Sequence, residues 1–337
     1  MNRNAAENFV NQLYAHVLGR SPKEQEFEHW VGIAEEKLTP EKIFDLFVNS
    51  KEYKSIYKVH TFFPIGHYYS PIVDPELAKK YINRAEMWAI SAFPGIKISQ
   101  NDMLSLWNKF LPFMKSTPFT DDKVEENRFF YMNGSYPYGD AIILRAFINH
   151  FRPRQIIEIG SGFSSACMLD AAEHAHLTDV HLTCIEPDAD RLRSVLRPKD
   201  AKTVTLMERP VQDVPLEVFS RLNPGDFLFI DSTHVLKTGS DVHYELFSIL
   251  PTLKRGVIIH FHDIQFPFEY PDEWIFERNH SWNEVYALRA FLMYNQSFRV
   301  LFLNSLLACK HKSHLEATCP LFLKNPGGGL WIEKTGD

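Results

Sequence analysis

The chain has 337 residues, 45% hydrophobic and 23% charged, enough for one large folded domain, a smaller companion and a sizeable core. A formal net charge of -6 excludes bulk attraction to nucleic acid or anionic membrane, and no apolar run approaches the ~20 residues that span a bilayer. Cys167, Cys184, Cys309 and Cys319 are too few for a disulfide framework, and "MNRNAAENFV" lacks the basic start and apolar core of a secretory signal, so a reduced, cytoplasmic protein is expected.

At the N-terminus, Phe9, Leu13, Val17 and Leu18 recur at helical spacing until "GRSP" at 19–22 interrupts them. A second apolar stripe runs through Phe27, Trp30, Val31 and Ile33. "LTPEKIFDLFVNS" supplies a third helix, with Thr39 as N-cap and Pro40 at its first position. "FVNQLYAHVLGRSP", Trp30 and "FVNSKEY" resemble the small phycobilisome-linker-like domain of unknown function. That resemblance implies an interaction or scaffolding module over 1–55, able to recruit a protein partner.

Residues 56–125 are mixed. "TFFPIGHYYSPIVDP" reads as a proline- and aromatic-rich connection, and helices are predicted within 75–115, as a linker or a lid. Over 126–337 strands and helices alternate. Strands are predicted at 155–159, 180–186, 203–207, 226–231 and 256–262, with helices near 163–176, 188–197, 214–222 and 240–253. This is the pattern of an α/β fold, a parallel sheet with helices on both faces. A helix near 282–295 precedes "FRVLFLNSLLA" and "GGGLWIEKT", predicted to close the sheet as an antiparallel pair.

The first strand breaks at "IIEIGSGFSS" into a turn with Gly160, Ser161 and Gly162, where backbone N–H groups approach a ligand closely. A dinucleotide fingerprint would place a third glycine where Ser165 stands. The second strand ends on Glu186, suited to accept both hydroxyls of an adenosine ribose. After the third strand, Asp213 is a candidate for an adenine amino group, between Val211 and Val214. Glu158, just before the turn, is a candidate for attracting an ammonium group. A cofactor with an amino-acid end, a ribose and an adenine but no phosphate fits the set, and S-adenosylmethionine is such a molecule.

"EIGSGFSS", "IEPD", "VQDV", "FIDSTH", "GVIIHFHDI" and "GGGLWIEK" resemble, in order, the class I S-adenosylmethionine-dependent methyltransferases, in a bacterial branch associated with glycan and natural-product genes. The resemblance implies a Rossmann-like sheet with a reversed final strand and a small-molecule or glycan acceptor. The ends of the fourth and fifth strands are similar to those of metal-dependent catechol-type O-methyltransferases. By position, Asp231 and His234 take the places of an aspartate and a lysine base, and His262 and Asp263 those of an aspartate–asparagine pair. The resemblance therefore implies Asp231, His262 and Asp263 as ligands of a divalent metal (Mg, Mn or Fe), with His234 as general base and Asp231 in the catalytic set. Histidine at 262 softens the donor set relative to one suited to Mg alone. His260 is either a partner of His262 or simply buried.

Weaker signals complete the reading. "CKHKSHLEATC" at 309–319 fits no familiar zinc spacing and is expected as an exposed loop. "NGSYPYGDA" is expected to lead into a helix, with Asp140 near its start, and its tyrosines border the cofactor pocket or cap that helix. The aromatic residues of "QFPFEYPDEW" form a loop suited to cover substrate or to pack. The alternatives are an iron oxygenase, since two histidines and a carboxylate also activate oxygen, and a non-catalytic cofactor-binding scaffold. A homo-oligomer is left open.

Overall fold

The computed structural model describes residues 1–36, 38–56, 63, 65–90 and 92–336, so parts of the connection beginning at 61 lie outside the described residues. The chain divides into two compact units, Met1–Asp74 and Pro75–Asp337. Among the described residues no helix is long and apolar enough to cross a membrane.

In the first unit the predicted stripes become helices Arg3–Val17, Glu24–Glu36 and Pro40–Val48, followed by the short helix Lys51–Ile56. Their apolar faces meet in one small core, where the ring of Phe47 lies 5.1 Å from Tyr14 and 4.9 Å from Trp30. Arg20 of the "LGR" stretch ties the elements together. Its guanidinium donates to Glu26 at 2.8 Å and to Glu52 at 2.9 Å, and lies over the Tyr14 ring. The second helix begins at Glu24, just past the interrupting "GRSP".

The second unit carries a seven-stranded sheet. Its strands are β1 Gln155–Ile159, β2 His181–Ile185, β3 Val204–Met207, β4 Phe227–Ile230, β5 Ile258–Phe261, β6 Phe298–Leu303 and β7 Leu330–Lys334. The order is β3-β2-β1-β4-β5-β7-β6, and β7 alone runs against its neighbours β5 and β6. The sheet is therefore the Rossmann-like one expected, with its reversed final strand. Strands β4 and β5 are buried along their whole length, which is why each reads as an unbroken apolar run rather than an alternation. The switch in strand order between β1 and β4 opens a crevice at their carboxyl ends.

Much of the chain's phenylalanine content is core. Phe147 on helix Tyr138–Phe151 stacks on Trp331 of β7 at 3.9 Å, and Phe110 on helix Gln100–Lys115 meets Phe147 at 5.0 Å. Met103, Trp107, Phe110 and Met114 of helix Gln100–Lys115 are buried in this same core. Segment 309–319 corrects the expected loop. It is built from helices Asn304–Lys310 and Lys312–Thr318, and Leu315 and Cys319 are buried while Cys309 is exposed.

One charge cluster holds the sheet's flank. Arg128, with its side chain fully buried, donates to Asp170 and Glu173 at 2.6 Å each and to Asp200 at 2.9 Å. Removing one partner from such a group leaves the others as uncompensated buried charges. Arg128→Ala is expected to cost about 3–5 kcal/mol in chemical denaturation.

Candidate active site

The glycine turn sits at the tip of β1 because nothing larger fits there. Gly160 has φ +80°, and a Cβ on it would lie 1.8 Å from the carbonyl oxygen of Asp231 at the end of β4. The two strand ends are thereby packed backbone to backbone. Ser165, standing where a third glycine would be, has its own task. Its hydroxyl accepts from the N–H of Gly162 at 3.0 Å and donates to Glu158, to which Ser164 also donates at 2.6 Å. Glu158 is wholly buried beneath the turn, and burial pushes its carboxyl up to about 7, against the pull of the serine hydroxyls. It braces the turn from below rather than facing the crevice.

Glu186, one residue past β2, accepts the N–H of Ser161 at 3.0 Å and that of Asp188 at 2.9 Å. Its carboxylate is thus fixed at the mouth of the turn. A cleft of about 240 Å³, lined by Gly160, Ser161, Gly162, Glu186 and Asp231 with Tyr136 and Arg191, opens above it. A second cleft of about 390 Å³ shares Gly160, Glu186, Asp231 and Ser232 and continues past Val211, Gln212 and Asp241. Glu186 and Asp231 therefore face one continuous crevice. Asp213 is exposed and does not line it; its neighbour Gln212 does.

On the other side of Asp231 lies a hollow of about 600 Å³, lined by His262 and Asp263, the rings of Tyr131, Tyr138 and Trp274, and the polar groups of Asp140, Gln265, Arg278, Lys324 and Asn325. The crevice and the hollow meet at Ser135. His234 is buried and lines neither, but it lies beside an acid that lines each. Its Nε2 is 3.6 Å from Asp231 and 3.7 Å from Asp263, and its Nδ1 is 2.8 Å from the buried carboxylate of Glu284. Burial disfavours charge on His234, but Glu284, Asp231 and Asp263 outweigh it and raise its affinity for a proton. His234 and Asp263 both hold left-handed backbone, with φ +60° and +56°, a conformation non-glycine residues keep only where the surroundings impose it.

His262 lies 3.6 Å from Asp263 and beneath Tyr136, whose ring is 5.1 Å away. Burial opposes its protonation, yet Asp263, Asp231 and Asp140 push it up to about 9. Asp140 is itself buried, and turns inward to accept from Asn304 at 3.0 Å instead of capping its helix. The three glycines 327–329 make room for it: a Cβ on Gly327 would fall 1.7 Å from its carboxylate, and one on Gly328 2.8 Å from the backbone of Asp263. His260 is buried, stacked on Phe229 at 4.1 Å, and burial drives it well below the usual imidazole range, so it serves as a neutral aromatic in the core.

Sequence reasoning did not single out Glu284 or Arg191. The only signal for Glu284 was an acid opening the helix after "SW", a pattern shared by countless helices. Glu158 generates a pH prediction with a definite sign. The folded state holds its proton up to about 7 against 4.5 ordinarily, so this contribution to stability is fully present below 4.5 and is lost as pH rises through about 7. The melting temperature of Glu158→Gln relative to the unmodified protein is expected to shift upward by several degrees between ~pH 5 and ~pH 8.

Residues 157–264 match a family model described as a methyltransferase domain, and residues 2–57 match one described as a domain of unknown function (DUF4214). An uncharacterized protein of Archaeoglobus fulgidus is 32% identical over 174 residues, which is 49% of this chain and 76% of the relative. Among solved structures, the chain is similar to SAH-bound methyltransferase PaMTH1 of Podospora anserina, at 15% identity and a TM-score of 0.40, covering 82% of this chain and 100% of that one. It is also similar to the O-methyltransferase TomG of Streptomyces achromogenes in complex with SAM, at 16% identity and a TM-score of 0.37, covering 76% and 98%. Likenesses at this level bear on neither activity nor substrate. The methyltransferase-domain match runs from β1 to just past β5, the strands whose carboxyl ends build the crevice. The chain belongs to the class I S-adenosylmethionine-dependent methyltransferases and carries an additional helical domain at its N-terminus.

Proposed function

We propose that this protein transfers a methyl group from S-adenosylmethionine to a hydroxyl of a sugar, glycan or related polyhydroxylated metabolite, with His234 as the proton acceptor. The observation that carries this reading is the position of His234 Nε2, between Asp231 on the crevice and Asp263 on the hollow. The crevice supports a donor site. Its glycine turn suits the amino-acid end, Glu186 the ribose hydroxyls, and the stretch past Val211, Gln212 and Asp241 the adenine. The hollow supports an acceptor that is polar and ringed, since aromatic faces alternate there with amide, guanidinium and ammonium donors.

In the reaction the acceptor hydroxyl gives its proton to neutral His234 Nε2. The oxygen forms a bond to the methyl carbon as the carbon–sulfur bond breaks, and the sulfonium becomes the neutral thioether of S-adenosylhomocysteine. Because the methyl is already activated, holding the two partners in line supplies much of the acceleration. The carboxylates around His234 strengthen it as a base and stabilise the imidazolium that forms.

The expected divalent metal fares less well. Carboxylates and imidazoles are suitable donor types, and Asp231, His262 and Asp263 would be the ligands. Among the described residues, however, no group of three or more His, Cys, Asp or Glu side chains is gathered as a cation site. No step is routed through a metal, and the same arrangement gives iron-dependent oxygenation no support. The N-terminal unit is proposed to recruit a protein partner, and the four free cysteines suit a reducing, cytoplasmic setting.

Mass spectrometry of acceptor and nucleotide products is expected to show a gain of one methyl and release of S-adenosylhomocysteine; a gain of one oxygen would replace transfer by oxygenation. His234→Ala is expected to lower kcat by about 10²-fold or more with cofactor affinity, read by calorimetry, unchanged within about twofold. Glu186→Ala should do the reverse, weakening cofactor binding by roughly tenfold. Activity is expected to persist in excess chelator. Its loss, with recovery on adding back one divalent metal, would restore Asp231, His262 and Asp263 as ligands.

A further inference from the structure

The loop after β4 that carries His234 is clamped by a distant piece of chain, Trp282–Glu284, at the start of helix Glu284–Leu292. The carbonyl of His234 accepts the N–H groups of both Asn283 and Glu284 at 3.1 Å. The Asn283 side chain accepts from the N–H of Leu236 at 2.6 Å and donates to its carbonyl at 3.2 Å. Trp282 packs on the imidazole at 4.5 Å. These contacts hold the left-handed backbone at His234 and fix its ring plane. The remaining contact joins Glu284 to Nδ1 at 2.8 Å, with both side chains buried.

We propose that Glu284 is the positioning residue of the proton acceptor, holding the ring proton of His234 on Nδ1 so that the Nε2 lone pair is left on the side of Asp231 and Asp263. This inference rests on the reading of His234 as the base. A buried carboxylate accepts and does not donate, so only the tautomer with hydrogen on Nδ1 satisfies the contact. The opposite tautomer would set two lone-pair-bearing atoms against each other in a dry site and would offer the acceptor hydroxyl an N–H where it needs a base. The second oxygen of Glu284 has no protein partner, and behind it lies Glu245, also buried, which accepts from Ser232 at 3.2 Å. Burial first, then the charge of Glu284, keeps the Glu245 carboxyl well above the usual range and so neutral. Burial raises the Glu284 carboxyl as well, against the pull of His234, so of the two acids Glu284 is the one whose partner at 2.8 Å favours its charged form.

An acid at the first turn of a helix also has a purely structural use, favouring the helix dipole, and the test separates the two roles. The first readout is the ¹⁵N spectrum of His234 in the full-length protein, at a pH where the ring is neutral. Hydrogen on Nδ1 in the unmodified protein, and a mixture or inversion of tautomers in Glu284→Gln, is the expected result. The second is turnover with S-adenosylmethionine and a panel of methyl glycosides, followed as S-adenosylhomocysteine release. Glu284→Gln is expected to lower kcat by about 10²-fold, with KM and cofactor affinity within about twofold. Hydrogen on Nε2 in the unmodified protein, or a kcat within about threefold in a folded Glu284→Gln variant, would overturn the proposal. Should the variant not fold, the spectrum of the unmodified protein decides alone. Should that spectrum place hydrogen on Nδ1 while no glycoside is methylated, the acceptor reading fails and the positioning role stands.

Discussion

The site depends on one steric fact: the turn after β1 and the end of β4 touch through their backbones. A methyl group at Gly160 would overlap the carbonyl of Asp231, so the glycine is what allows the two strand ends to close on each other. From that contact follow the orientation of the Ser161 N–H toward Glu186, the continuity of the two clefts that share Asp231, and the start of the loop that delivers His234. Parallel strands leave their carboxyl ends on one rim, and the reversal of strand order beside β1 keeps connections from crossing it.

Electrostatics then decides what this rim can do. Asp140, Asp231, Asp263 and Glu284 gather around His234 and His262, all at least half withdrawn from water. So many carboxylates are tolerable only because the two imidazoles accept protons readily, and Asp140, pushed up by burial to about 7, stays close to neutrality itself. The two imidazoles thus offset part of the charge of this acidic cluster. His234 has two unlike neighbourhoods. Nδ1 lies against a buried acid, and Nε2 lies beside Asp231 and Asp263.

The second unit reaches well beyond the family-matched core. Helix Gln100–Lys115 is built into the sheet's packing through Trp107 and Phe110, and Arg84 binds the loop after β5 by donating to Asp272 at 2.7 Å and to the carbonyl of Tyr270 at 2.8 Å. Phe93 packs edge-on against Phe266 and Phe268 of the same loop. Residues 84–90 and 92–115 therefore pack against the segment that joins β5 to Trp274.

What the sequence by itself determined is what short-range chemistry controls. Apolar runs of four to six residues broken by glycine or an acid marked β1 to β5, and polar residues ending those runs marked Glu186, Asp231, His262 and Asp263, because a parallel strand delivers its terminal side chains to one rim. Tertiary structure alone decided which acids do what. Glu158 and Asp213 have the same sequence credentials as Glu186, yet one is sealed under the turn and the other lies on the surface at the end of a short helical turn after β3. Glu284, 50 residues from His234 in sequence, becomes its neighbour only because the helix after β5 folds back onto the β4 loop. No local pattern records such a contact, because its energy comes from two buried partners that the chain brings together only on folding.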